Sequence, residues 1–141
     1  SDCILLVEDS EDDALFLKRS LRVAGITMPV MTVPDGAAAI AYFNGEPPFS
    51  NRKKFPLPSI VLLDVRLPNV NGFEVLEWLR AHPHLKHLFI AMVTTSGKIG
   101  DIARAYRLGA NSFLTKPCYP DDIRKLAQGF PAQWLLSAPT V

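Results

Sequence analysis

Apolar residues run without alternation at positions 3–7, 59–63 and 88–93, and weaker strand-like runs occupy 29–33 and 112–115. Unbroken apolar strands are expected where helices cover both faces of a parallel sheet. The segments between them carry helical spacing. Ser10 reads as the N-cap of a helix bearing Ala14, Leu15, Leu17, Leu21 and Val23 and ending near Gly25, with Asp13 in the place of a capping-box acid. Asp35 caps an alanine-rich helix that reaches about Asn44. Gly72 opens "FEVLEWLRA", whose Phe73, Val75, Leu76 and Leu79 share one face. Residues 99–108 form a fourth helix closed by Gly109, and a fifth, starting near Pro120, carries Ile123, Leu126 and Ala127. Five strands alternating with five helices predict an α/β protein. Its doubly wound parallel sheet takes the order 2-1-3-4-5 through right-handed crossovers.

One segment breaks the alternation. Residues 45–58, "GEPPFSNRKKFPLP", hold four prolines and the basic triplet Arg52-Lys53-Lys54, which exclude helix or central strand. This is a long loop before the third strand, either a solvated decoration or a functional element.

Composition narrows the class. A chain of 141 residues that is 48% hydrophobic and 21% charged suits a single domain, 1–141, with its core at 3–128 and a tail at 129–141. A formal net charge of +1 gives no pull towards nucleic acid or membrane. Two cysteines, Cys3 and Cys118, are too few for a disulfide framework or a zinc site. The apolar run at 88–93 is far short of a membrane span, and the strand-like run that opens the sequence leads us to expect no targeting segment. The expectation is a cytoplasmic protein.

The chemistry lies at the carboxyl ends of the strands, where open parallel sheets bind ligands. The first strand runs into Glu8-Asp9, the third into Asp64, the fourth into Thr94-Thr95-Ser96 and the fifth into Lys116-Pro117. Three carboxylates gathered at one edge repel one another, and a hard divalent cation such as Mg2+ relieves that repulsion. A lysine ammonium there suits a phosphoryl oxygen or a carboxylate. No general base is evident, since His82, His84 and His87 cluster in "HPHLKH" away from this edge, where solvent exposure is the expectation. Phosphoryl transfer to a carboxylate needs none, because positioning and charge neutralisation dominate its loose transition state. Asp64 suits the role of nucleophile.

Four segments in order, "LLVEDSEDD", "IVLLDVRLPNVNG", "MVTTS" and "GANSFLTKP", resemble the receiver domain of two-component response regulators from Cys3 to about Gln128. The resemblance implies a flavodoxin-like fold and a histidine kinase whose phosphohistidine donates its phosphoryl group to Asp64. It further implies that Asp9 and Asp64 bind Mg2+ directly, with Mn2+ able to substitute. Glu8 acts on the ion through water, and the backbone carbonyl of Arg66 is a further ligand. Thr94 and Lys116 are the phosphate-binding pair, Thr94 and Phe113 the switch residues, and the Lys116-Pro117 bond is cis. An arginine at 66 departs from the small or neutral residue of many receivers.

About a dozen residues follow the fifth helix in this sequence, so the expectation is no output domain and a stand-alone regulator or a phosphorelay intermediate. The apolar tail, with Trp134 and Leu135 as packing candidates, suggests a homodimer. The long proline-rich loop and the "QWLL" tail resemble regulators paired with phytochrome-type histidine kinases. Two other classes are weaker. A phosphatase of the haloacid dehalogenase type resembles its family in a second acid two residues past the aspartate, where this chain has Arg66. A P-loop enzyme needs a motif that "SGKIGD" fails. A phosphorylation-independent interaction module on the same fold remains a third reading.

Overall fold

The computed structural model describes residues 3–95 and 97–130. Its elements follow the order β1 (Ile4–Val7), α1 (Glu11–Val23), β2 (Val30–Val33), α2 (Gly36–Asn44), β3 (Ile60–Asp64), α3 (Gly72–Ala81), β4 (Phe89–Thr94), α4 (Ile99–Arg107), β5 (Ser112–Thr115) and α5 (Pro120–Ala127). The five strands are all parallel and lie in the order β2-β1-β3-β4-β5.

Side chains alternate across this sheet with a period of two, so each unbroken apolar strand feeds two cores. Ile4, Leu6, Ile60, Leu62, Ala91 and Val93 meet Ala14, Leu17 and Leu21 of α1 and Ile123, Leu126 and Ala127 of α5. The intervening Leu5, Val7, Val61, Leu63, Ile90 and Met92 meet α2, α3 and Ala105 of α4 on the other face. Burying each Leu, Ile or Val stabilises the fold by about 1.5–3 kcal/mol, which drives the layering.

The helix starts follow the sequence closely. Ser10, Asp35 and Asn71 cap α1, α2 and α3, their side chains accepting from the amides of Asp13, Ala38 and Glu74. On α1 the apolar face is narrower than expected. Leu15 and Val23 are 64% and 55% exposed, because only the stripe Ala14, Leu17 and Leu21 faces the sheet.

The loop at 45–58 is no solvated decoration. Arg52 reaches back to the open C-terminal end of α2, donating from Nη1 to Tyr42 O at 2.8 Å and from Nη2 to Phe43 O at 2.9 Å. Phe49 and Phe55 pack edge to face and lie against Tyr42, whose hydroxyl donates to Pro56 O at 2.7 Å. Two of the three histidines are exposed as expected, and one is not. His84 and His87 are exposed around a 3-10 turn at Pro83–Leu85, and His82 is half-buried against Trp78 with ring centroids 4.1 Å apart.

Candidate functional site

The two-residue period carries the α1/α5-facing rows one step beyond the sheet. Glu8 follows Leu6, Asp64 follows Leu62 and Lys116 follows Leu114, so the three project together at the carboxyl edge. Glu8 and Asp64 are 4% and 5% exposed, burial that an ionised carboxylate tolerates only with partners. Lys116 Nζ supplies them, lying 2.5 Å from Glu8 Oε1 and 2.7 Å from Asp64 Oδ2. The second oxygen of each acid is held by backbone. Ser10 N–H donates to Glu8 Oε2 at 3.1 Å, and Arg66 N–H donates to Asp64 Oδ1 at 2.9 Å.

A third acid completes the lysine's surroundings, and the expected capping box does not form. Asp13 Oδ2 lies 2.9 Å from Lys116 Nζ, while the Ser10 amide that Asp13 was expected to hold is taken by Glu8. The carboxylate of Asp13 goes to the ammonium because a half-buried lysine between two acids has a third N–H to place. This contact spans 103 positions of sequence, beyond the reach of any local pattern.

Asp9 is exposed beside the buried pair, and Glu8, Asp9 and Asp64 offer carboxylate oxygens that all lie within 4.8 Å of one another. That all-oxygen set is the chemistry a hard divalent cation binds. Burial pushes the Glu8 carboxyl up to about 7, with Lys116 and the Ser10 amide pulling it down and the charge of Asp64 adding to the rise. Burial acts to lower the Lys116 ammonium, but its hydrogen bonds to Asp64, Glu8 and Asp13 more than reverse this, so it is raised. The lysine therefore carries full charge at neutral pH, and the edge as a whole stays acid-rich.

The chain after Asp64 leaves this edge by a tight route. Asn69 takes the left-handed conformation at φ 65°, and Gly72 N–H bonds Val65 O at 2.9 Å. A Cβ on Gly72 would stand 2.1 Å from the Asp64 carbonyl oxygen, so only glycine permits this approach.

The chain matches the response regulator receiver domain over residues 4–128. It belongs to that family. The receiver is 35% identical over 132 residues to response regulator Rcp1 of Synechocystis sp., covering 94% of this chain and 88% of that one. The Mn2+-bound structure of Rcp1 superposes with a TM-score of 0.76 at 32% identity, over 99% of this chain and 100% of that one. Response regulator RPA3017, from red light signalling of R. palustris, gives 0.85 at 32% identity over the whole of both chains. The phosphorylated cyanobacterial phytochrome response regulator RcpA gives 0.77 at 31% identity, over 98% of this chain and 96% of that one. The protein is thus a response regulator of two-component signalling with the flavodoxin-like receiver fold, similar to phytochrome response regulators.

Within this receiver, Thr94 ends β4 and is 1% exposed, and its carbonyl accepts from Lys116 N–H at 2.8 Å. Phe113 is half-buried against the α2–α4 core, opposite Met92 in the β4–β5 register. Thr94 and Phe113 thus belong to the layer across the sheet from Glu8, Asp64 and Lys116. Arg66 is exposed and lines an open cleft with Asp9, Asn71, Phe73 and Arg104. The Lys116-Pro117 bond is cis. Trp134 and Leu135 lie outside the described residues. Among the described residues, no helix is long and apolar enough to cross a membrane. Two contributors escaped the sequence reading. Asp13 passed as part of a helix cap, and Gly72 passed as an ordinary turn glycine.

Proposed function

We propose that Asp64 accepts a phosphoryl group from the phosphohistidine of a histidine kinase. The P–N bond to the imidazole breaks, a P–O bond forms on a carboxylate oxygen of Asp64, and the imidazole leaves. The observation that carries this reading is the Lys116 ammonium 2.7 Å from Asp64 Oδ2, beside three acids with oxygens within 4.8 Å of one another. Asp9, Asp64 and the carbonyl of Arg66 would hold Mg2+, or Mn2+ in its place, with Glu8 acting through water. When bound, the cation supplies charge neutralisation at the transferring group. Lys116 neutralises a phosphoryl oxygen, and the Thr94 hydroxyl turns towards the same group. Phe113 then moves inward and reshapes the face of α4, β5 and α5, a population shift biased by one anionic group. The likeness to phytochrome response regulators supports a kinase of the phytochrome type as donor.

Incubation with Mg2+ and acetyl phosphate, followed by intact-mass measurement, tests the proposal. One phosphoryl adduct is expected, and Asp64→Asn is expected to lose it. No adduct on the wild type would favour an interaction module, and continuous turnover of the donor would favour a phosphatase.

A further inference from the structure

An ammonium has three N–H donors, and Lys116 uses all three on acids. Two of those acids, Glu8 and Asp64, also belong to the oxygen set that suits a divalent cation. The third, Asp13, does not, and it stands on α1 rather than at a strand end. A cation entering that set competes with the ammonium for the same oxygens and repels it at short range. A lysine stem with no other anchor would then swing into solvent.

Asp13 is placed to prevent this. Its amide donates to Ser10 Oγ at 3.2 Å, which fixes it in the first turn of α1, and Ala14 and Leu17 fasten that turn to the sheet. Its carboxylate, with the side chain 46% exposed, serves only Lys116 among the hydrogen bonds and ion pairs of the described residues. We propose that Asp13 is a positioning residue that keeps the Lys116 ammonium at the sheet edge when a divalent cation or a phosphoryl group claims Glu8 and Asp64. This rests on the reading of Asp64 as phosphoacceptor.

The test combines Mg2+ binding by calorimetry with the rate of phosphorylation by acetyl phosphate. Asp13→Asn, a change of the half-exposed carboxylate that keeps the capping amide, is expected to weaken Mg2+ binding and slow phosphorylation by about two- to fivefold, the range a partly exposed ion pair supplies. Asp13→Glu is expected to recover most of both. In a Lys116→Ala background, Asp13→Asn is expected to change neither. Wild-type values in Asp13→Asn would overturn the proposal. So would an effect of unchanged size in the Lys116→Ala background, since Asp13 would then act on the cation directly. Failure of the wild type to take a phosphoryl group would sink the reading of Asp64, while the calorimetric comparison decides the role of Asp13 by itself.

Discussion

Glu8 shows how one residue's surroundings set its chemistry. Its carboxyl titrates near 7 because burial outweighs the help of Lys116 and the Ser10 amide. In the unfolded chain the same group returns to its ordinary value of 4.5. Between those values the folded protein binds more protons than the unfolded chain, so stability falls as pH rises through that window and then levels off. Urea unfolding in EDTA between pH 4.5 and 8 is expected to show this fall, and Glu8→Gln is expected to flatten it. The slope has the opposite sign from that of a carboxylate whose pairing wins over burial. Arg66 poses a different question, since its amide orients Asp64 while its exposed side chain lines the cleft beside Asp9. Arg66→Ala keeps the amide and removes the guanidinium, so a changed phosphoryl half-life with unchanged stoichiometry is the expected result. Strand-end residues such as Glu8 and Asp64 were legible because a period of two decides where they point. The pairing of Asp13 with Lys116 was not, because it depends on how α1 is rotated against the sheet.

At the scale of elements, the five strands and five helices were legible because two-sided burial and 3.6-residue spacing write themselves into the hydrophobic pattern. The loop at 45–58 resisted, since irregular backbone has no period to read. Its prolines announced only that it was neither helix nor central strand. Its actual role comes from Arg52, which satisfies carbonyls at the end of α2, and from Phe49 and Phe55, which extend the α2–α4 core. Arg52→Ala is expected to lower unfolding free energy by about 1.5–3 kcal/mol, the scale of hydrogen bonds from a charged donor. Lys53→Ala, at an exposed neighbour, is expected to stay within about 0.5 kcal/mol of wild type. Urea midpoints of the two variants check the difference.

For the whole molecule, the apolar residues Trp134 and Leu135 in the tail favour pairing of two copies as a proposal. Sedimentation of wild type against Trp134→Ala is expected to show a dimer reduced to monomer, and an unchanged mass would argue against the tail as the contact. The sequence by itself determined the strands and helices, the caps at Ser10 and Asp35 and the placing of Glu8, Asp9, Asp64 and Lys116 at strand ends, because periodicity and strand direction are local and repeat along the chain. Only the tertiary structure decided which acids the lysine holds, why Gly72 must lack a side chain and what anchors the long loop. Those outcomes are contacts between segments far apart in sequence, set by the packing of α1, α2 and α3 against the sheet, and no period in the chain records them.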